Sequence, residues 1–252
     1  MIKALLNRKV FSSLALTAVI CATVVTLMHV RVGEEIILEH AFMSARDGYI
    51  PVGEFKYGAD VFFCSLNLII ALPTVMSSFA EDLDIAKSFI FIRLNDINKW
   101  FSYKYIQTFI YCLYYSFIHN LSIFLTVLLL GFRAQDITSA ILYMLWGSFA
   151  GFLILFMLAV FGNTLSILIK PHIASGVTVG LTVILMTTAC FLHHDQTQYH
   201  ILTNYFISWH TFFSVNKDFY SLPTWAYYAI VSAFVSAELI SAKKVIKNKD
   251  FI

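Results

Sequence analysis

The residues best suited to metal chemistry are five side chains between positions 193 and 210. His193, His194, Asp195, His200 and His210 offer imidazole nitrogens and a carboxylate, which are ligands for zinc or copper. The His-His-Asp run is contiguous, however, and the group contains no i, i+4 pair that would place two ligands on one face of a helix. We therefore interpret the segment as a solvated polar loop and predict no metal cofactor.

Intramembrane proteolysis is a second candidate chemistry. Glu34-Glu35 resembles the EExxxR opening of CAAX-type membrane proteases, and His119-Asn120 would supply an imidazole inside an apolar segment. Residue 39 is Glu where that motif has Arg, and the Glu-Glu pair follows the first apolar run as part of a loop. We interpret His119 as hydrogen-bonded within a helix bundle, and we expect the chain not to be an enzyme.

The sequence also gives no indication of thiol chemistry or of nucleotide binding. The four cysteines lie inside apolar runs and form no CxxC pair, so they are interpreted as packing residues: Cys21, Cys64, Cys112 and Cys190. The sequence contains no G-x-x-x-x-G-K-[ST] phosphate-binding loop. Any work driven by ATP would therefore depend on a separate subunit.

The composition excludes an ordinary soluble fold. Of the 252 residues, 59% are hydrophobic and 13% are charged, whereas soluble proteins carry roughly 25% charged residues. A soluble domain of this composition would expose large apolar faces to water. We predict an all-α, polytopic membrane protein that forms a single transmembrane domain over residues 1–252.

Six apolar windows are long enough to cross a bilayer, which requires about 20 residues of helix. Pro171 and Pro223 open the last two, because proline at the first helical turn removes no hydrogen bond that the helix needs. The fourth window continues to residue 169, and its helix is predicted to end before Gly162-Asn163. The predicted spans are about 10–30, 61–80, 105–132, 137–161, 172–192 and 223–242.

The basic residues predict that both termini are cytoplasmic. Cytoplasmic segments are enriched in Lys and Arg, and a cytoplasmic N-terminus places twelve of the 17 basic residues inside. The inner set would be Lys3, Arg8, Lys9, Lys87, Arg93, Lys99, Lys104, Lys170, Lys243, Lys244, Lys247 and Lys249. The outer set would be Arg31, Arg46, Lys56, Arg133 and Lys217.

The inner segment between the second and third spans has the pattern of a short interfacial helix. Ser78 and Glu81 fit a capping box, and the acidic residues that follow suit the start of a helix dipole. Apolar and charged residues then alternate over 83–94 and give a mixed face. A plain connecting elbow and a docking helix for a cytoplasmic partner both fit these residues. The aromatic residues that follow are predicted to lie at headgroup depth: Trp100, Tyr103 and Tyr105.

Taken together, the chain resembles the permease subunits of type-2 ABC exporters. The features that carry the resemblance are six spans, an acid-led inner helix within EDLDIAKSFIFIRLNDINKW, and an aromatic outer segment at 197–213. The outer loop at 31–60 is longer than in many members. The resemblance implies that the inner helix docks in a groove of a cytoplasmic ATPase. The residues expected in this coupling helix are Glu81, Asp82, Asp84, Lys87, Phe89, Arg93 and Asp96.

The resemblance also implies the partners and the cargo. ATP and Mg²⁺ would bind to the partner ATPase, and this chain would pair with itself or with a second permease in a bacterial plasma membrane. The cargo would be amphipathic or hydrophobic peptides, such as toxins or antimicrobial peptides, and no nucleic-acid partner is expected. Short outer helices would cap the pathway, with Tyr199, Tyr205, Trp209 and Phe212 as the expected cap residues.

Two other functions stay open as alternatives. A non-transporting immunity or sensory subunit would share the same membrane pattern. An ion-coupled carrier is the third hypothesis, but such carriers hold ionisable groups in mid-membrane, and the predicted spans contain almost none. Glu238 is the exception; it lies near the inner end of the last span and is interpreted as a helix-end residue, with a gating or partner contact as the alternative.

Overall fold

The computed structural model describes residues 8–29, 37–38, 41–42, 45, 66–77, 79, 97–194 and 224–248. Within these residues the chain forms six α-helices and no β-strand, so the all-α prediction is confirmed for them. In chain order the helices are α1 (Arg8–His29), α2 (Leu66–Ser77), α3 (Ile97–Leu129), α4 (Ile137–Leu168), α5 (Pro171–His194) and α6 (Thr224–Asn248).

Three helices are long and apolar enough to cross a membrane, namely α1, α3 and α4. Helix α2 and the Pro171–Ile184 part of α5 are apolar over shorter stretches. At a rise of about 1.5 Å per residue, the 33 residues of α3 measure about 50 Å. This length exceeds the roughly 30 Å of bilayer hydrocarbon, so α3 extends beyond the hydrocarbon region.

The polarity of α3 is reversed relative to a helix on the surface of a soluble protein. Its exposed face carries large apolar side chains, and Ile106, Phe109 and Leu113 are 53%, 42% and 42% exposed. Its buried face carries polar ones, and Thr108 and His119 are each 1% exposed. A helix surrounded by water shows the opposite arrangement. Apolar faces outside and polar groups inside are what a lipid environment requires.

Helices α3 and α4 form an antiparallel hairpin. The turn contains Gly131, whose φ of 91° lies in the left-handed region that glycine adopts without a steric penalty. Near the middle of the hairpin, the Ser116 hydroxyl of α3 donates to the carbonyl of Ser148 in α4 at 2.7 Å. Farther from the turn, Phe109 packs edge-on against Phe152 with ring centroids 4.8 Å apart.

Helix α1 packs beside α3 and runs in the same direction. Near the start of α1, Phe11 contacts Tyr111 with ring centroids 5.1 Å apart. Near the end of α1, Ala22 belongs to the same hydrophobic cluster as Ile123. Cys21 and Cys112 are buried and form no disulfide, which agrees with their interpretation as packing residues.

The parallel and antiparallel pairs give the bundle two distinct ends. We name the end that holds the start of α1, the start of α3 and the end of α4 the basic end, since Arg8, Lys9, Lys99, Lys104 and Lys170 lie there. The other end, with residues 130–136, is the hairpin end. There Leu38 donates its backbone N–H to the carbonyl of Arg133 at 3.1 Å.

The predicted end of the fourth helix is wrong. Helix α4 does not stop before Gly162-Asn163 but continues to Leu168, where Ile169 becomes extended with φ −125° and ψ 175°. The helix ends there because the residue before a proline is disfavoured in the α conformation, and Lys170 precedes Pro171. A buried Gly-Asn pair can remain helical because packing outweighs a propensity cost of about 1 kcal/mol.

Two other helices are longer than predicted. Helix α3 begins at Ile97 instead of 105, and α6 continues to Asn248 instead of 242. Both extensions carry lysines at the basic end, such as Lys99 and Lys243. The predicted spans were bounded by the nearest charged residues. A membrane-spanning helix can continue into water beyond those residues, until a local feature of the backbone ends it. Charged residues therefore mark where the apolar part of the helix ends, but the helix itself continues past them.

Asp136 is the N-cap of α4, and its contribution to stability can be tested. The Asp136 carboxylate accepts from the backbone N–H of Thr138 at 3.0 Å and from the Ser139 hydroxyl at 2.7 Å. The hydrogen bond from the Ser139 side chain, together with the backbone donors, lowers the pKa of Asp136 from its usual value of 3.8. Because the folded-state pKa is lowered, this stabilisation is present above pH 3.8 and is lost as the pH falls through the folded-state value.

We expect Asp136→Ala to lower the unfolding temperature of the purified protein at pH 7, because it leaves backbone donors of the first turn unpaired. Asn is an equally good cap, so Asp136→Asn should unfold at the wild-type temperature at pH 7. Below pH 3.8, the wild-type protein should lose stability relative to Asp136→Asn. Equal unfolding temperatures for the Ala and Asn variants at pH 7 would show that the cap does not contribute.

Candidate functional site

The residues predicted to form the coupling helix lie outside the described residues. This holds for Glu81, Asp82, Asp84, Lys87, Phe89, Arg93 and Asp96, and equally for the outer-cap residues Tyr199, Tyr205, Trp209 and Phe212. The Glu34-Glu35 pair, Asp195, His200 and His210 also lie outside them. No metal-binding group of three or more His, Cys, Asp or Glu occurs among the residues that are described.

The chemistry that the structure does describe is a set of buried polar side chains on α3, α4 and α5. We name this set the polar seam. Its members are at most 6% exposed, although they lie inside an apolar bundle. They are Lys104, Gln107, Thr108, Ser116, His119 and Asn120 of α3, Ser148, Asn163 and Ser166 of α4, and Thr178 and Thr182 of α5.

Two adjacent contacts join α3 to α4 in the basic half of the seam. The Asn163 amide donates to the Thr108 hydroxyl at 3.1 Å. One turn nearer the basic end on α3, the Tyr105 and Thr164 hydroxyls lie 3.1 Å apart. Because the Thr164 hydroxyl already donates to the carbonyl of Val160, Tyr105 is the donor in this pair. Both bonds hold α4 against α3 at the turn where the sequence suggested a break.

At Gly162 two other helices, α2 and α5, approach α4 closely. A Cβ atom at this position would lie 2.5 Å from Cε of Met76 in α2 and 2.7 Å from the Thr178 hydroxyl oxygen in α5. Only glycine leaves room for both neighbours. Small residues are the usual device by which membrane helices bring their backbones together, so Gly162 is a packing residue and not a helix end.

The middle of the seam lies around Ser116 and His119. A Cβ on Gly151 would lie 2.8 Å from the Ser116 hydroxyl oxygen, so α3 and α4 are also closely packed here. The His119 ring stacks on Tyr115 with centroids 6.0 Å apart and planes at 14°. Asn120 donates its amide to the carbonyl of Ser116 at 2.9 Å. Both of these contacts lie within α3, and both side chains are buried.

An aromatic cluster joins α2 to α3 at the basic end. Phe79 lies 5.3 Å from Trp100 and 5.8 Å from Tyr105 between ring centroids, and Tyr105 lies 4.4 Å from Phe101. Trp100 and Tyr105 are 3% and 5% exposed. Both rings are therefore buried against Phe79, just beyond α2, whereas their depth in the membrane stays a prediction.

A hydrogen-bonded chain follows α3 beside this cluster. The Lys104 ammonium donates to the Gln107 amide oxygen at 3.2 Å, and the Gln107 amide nitrogen donates to the Tyr111 hydroxyl at 2.9 Å. Each link spans one helical turn, so the chain needs no second helix to form. Burial of the Lys104 charge is thereby accompanied by hydrogen bonds, as buried charges require.

Glu238 of α6 faces the same end of the seam. The side chain is partly exposed, and its carboxyl lies within electrostatic range of the Tyr105 hydroxyl. One carboxylate oxygen, Oε2, is buried without a hydrogen-bond partner. Its packing neighbours on α6 are Val235 and Ala242, both buried in the main hydrophobic cluster. The interpretation of Glu238 as a helix-end residue is wrong, because α6 continues for ten residues beyond it, to Asn248.

Sequence reasoning identified Glu238 and His119 individually and missed the seam as a whole. The signal was present in α3, where Lys104, Thr108, Ser116 and Asn120 recur at helical spacing among apolar residues. Only the tertiary structure shows that Thr108, Ser116 and Asn120 face α4. Compared with protein-family models, curated proteins and solved structures, the chain matches none.

The close approach at Gly162 predicts that alanine destabilises the protein more at Gly162 than at Gly176. We expect Gly162→Ala to lower the free energy of unfolding by about 1–3 kcal/mol, because the added methyl overpacks a contact of three helices. Unfolding in mixed micelles with a denaturing detergent measures this change.

Gly176→Ala is the matched control. Gly176 is also helical and exposed, and a Cβ there would meet nothing within 4 Å. Its replacement should leave stability unchanged or raise it slightly, because alanine favours helix. If both variants lose the same stability, helix propensity or chain flexibility would be the cause, and the packing role of Gly162 would be refuted.

Proposed function

We propose that the chain is the transmembrane permease subunit of an ATP-driven exporter of the type-2 ABC class, with six membrane spans and both termini in the cytoplasm. A separate cytoplasmic ATPase supplies the energy and binds ATP and Mg²⁺. The chain pairs with itself or with a second permease in a bacterial plasma membrane. Its cargo is an amphipathic or hydrophobic peptide.

The observation that carries this proposal is the position of the two residues that flank the predicted coupling helix. Phe79, at the end of α2, and Trp100, near the start of α3, contact each other at the basic end of the bundle. The chain between them must therefore leave and return at that end. In this proposal, the acidic and apolar residues of that segment contact the ATPase on the side where basic residues gather.

The distribution of basic residues supports the orientation. Among the described ends of α1, α3 and α4, five basic residues lie at the basic end, whereas the hairpin turn has Arg133. Cytoplasmic ends are the ones enriched in Lys and Arg. Lys243 and Lys244, which follow Glu238 on α6, fit the same side.

The lack of charged residues in the middle of the bundle favours transport that is powered by a separate ATPase. The apolar stretches at 105–132 and 137–169 contain no Asp, Glu, Lys or Arg. The polar seam is built from hydroxyls, amides and one imidazole, and its one charged member, Lys104, lies at the basic end. Carriers driven by ion gradients hold ionisable groups in mid-membrane, so this arrangement favours a subunit powered by an ATPase.

Cysteine labelling tests the orientation. In a variant whose native cysteines are replaced by serine or alanine, we expect Arg133→Cys to react with a membrane-impermeant maleimide added to intact cells. Lys99→Cys should react only after the membrane is opened, because it lies at the basic end. Labelling of Lys99→Cys in intact cells would place the coupling segment outside and end the proposal.

Charge reversal tests the docking segment. We expect Asp84→Lys or Arg93→Glu to reduce the amount of ATPase that co-purifies with the chain by about tenfold, since buried interfacial charge contacts cost 2 kcal/mol or more when broken. The ATPase is detected by photolabelling with azido-ATP. Membrane insertion should be unchanged, because neither residue lies in a predicted span.

Arg133→Glu serves as the control, since it reverses a charge at the opposite end of the bundle. It should leave the photolabelled partner at the wild-type level. An unchanged yield with both docking variants would contradict the assignment of the coupling helix. A chain that recovers no azido-ATP-labelled partner at all would favour the alternative of an immunity or sensory subunit.

A further inference from the structure

Part of the predicted outer loop at 31–60 packs on the hairpin end of the bundle. The backbone N–H of Ala41 donates to the carbonyl of Ile37 at 3.0 Å, which is the hydrogen bond of one helical turn. The side chains that follow this turn have the i, i+3, i+4, i+7 spacing of one helix face, and each is at most 1% exposed. We name them the plug, and its members are Leu38, Ala41, Phe42 and Ala45.

The plug covers the place where α1, α3 and α4 meet at the hairpin end. Phe42 packs edge-on against Phe124 of α3 with ring centroids 6.2 Å apart. The backbone N–H of Leu38 donates to the carbonyl of Arg133 in the hairpin turn at 3.1 Å. The plug and the three helices form one buried cluster, separate from the main one, and its helix members are Ala22 of α1, Ile123, Phe124 and Val127 of α3, and Ala140 and Met144 of α4.

The polar seam begins one helical turn below this cluster on both α3 and α4. Asn120 precedes Ile123 by three positions on α3, and side chains at this spacing are neighbours on a helix. On α4, the Ser148 hydroxyl donates to the carbonyl of Met144 at 2.8 Å. The amide oxygen Oδ1 of Asn120 is buried without a hydrogen-bond partner. Water that entered from the hairpin end would supply a donor to this oxygen, and the plug stands in its way.

The plug is attached by contacts that can break and form again while the helices stay in place. Its four side chains are apolar, so burial of apolar surface holds them, and this effect has no preferred direction. The plug belongs to none of the helices α1 to α6, whereas α3 and α4 are joined to each other by the bond from Ser116 to Ser148. Apolar constrictions of this kind control the passage of water and polar solutes in membrane pores.

We propose that the plug is a gate that closes the hairpin end of the polar seam and opens as a unit while the helices remain packed. In the closed arrangement, Leu38 and Phe42 exclude water from the seam. In the open arrangement, the seam is accessible from the hairpin end, and water hydrates Asn120. Phe42 is the main anchor, because its ring is the largest apolar group of the plug.

The gate deepens the proposed function and rests on it in one respect, since the hairpin end faces the exterior only when the basic end is cytoplasmic. Cargo that moves along the seam would then leave the protein when the plug opens. Opening itself is a property of the chain alone and needs no ATPase. Failure of the following test would overturn the gate and leave the orientation and co-purification experiments to decide the function.

The reaction rates of single cysteines test whether the plug opens. The full-length chain, with its native cysteines replaced, is held in lipid nanodiscs that expose both ends and is treated with a charged methanethiosulfonate. The reporters are Ala45→Cys in the plug, Val127→Cys beneath it and Val160→Cys in the main cluster, and all three positions are 0% exposed. We expect the first two to react at similar rates, because one opening exposes both. Val160→Cys should react at least about tenfold more slowly, since it requires a larger opening of the bundle.

Phe42→Ala should increase the reaction rate of Val127→Cys about tenfold or more, because removal of a buried ring weakens the closed arrangement. The rate of Val160→Cys should not change. Phe152→Ala is the matched control, since it removes a phenylalanine ring that is 3% exposed from the main cluster. It should leave the rate of Val127→Cys at the wild-type level.

Two results would overturn the gate. Equal rates for Val127→Cys and Val160→Cys in the chain with an intact plug would show that the plug does not open separately from the helices. An equal acceleration of Val127→Cys by Phe42→Ala and Phe152→Ala would show that general loosening of the bundle exposes the reporter. The first comparison needs no change at Phe42, so it decides the matter even if Phe42→Ala does not fold.

Discussion

Lipid hydrocarbon offers no hydrogen bonds, and this constraint decides where the polar groups of the chain lie. Backbone groups are satisfied within helices, and side-chain groups must find partners in the bundle or on their own helix. Helix α3 shows the result most clearly, with Ile106 and Phe109 outside and Thr108 and His119 inside. The polar seam is the collection of side chains that this constraint turns inward, and the packing of α3 against α4 follows from it.

Close approach between backbones makes the seam possible. Serine and threonine side chains are short, so hydrogen bonds between them and a neighbouring helix require helices that nearly touch. Gly151 and Gly162 provide that approach, opposite Ser116 and Thr178. Most hydroxyl hydrogens return to the carbonyl four residues earlier, which satisfies each group without a partner helix.

The polar contacts within the bundle are individually weak. Strong ionic contacts within mid-membrane would fix one arrangement of the helices, whereas hydroxyl and amide bonds are individually worth about 1 kcal/mol. Such contacts can exchange as helices shift. The aromatic cluster of Phe79, Trp100 and Tyr105 is buried and apolar. Its ring contacts hold the residue just beyond α2 against the start of α3 at the basic end.

The sequence alone determined that the chain is helical and made for a membrane, because hydrophobic content and the spacing of charges are properties of the residues themselves. It also located the α5 start at Pro171, since proline restricts the backbone locally. It did not determine that Gly162-Asn163 continues a helix, that Trp100 and Tyr105 turn inward, or that Thr108 contacts Asn163. Those outcomes depend on which helix faces which, and a facing contact between residues 55 positions apart, such as Thr108 and Asn163, arises only when the helices pack.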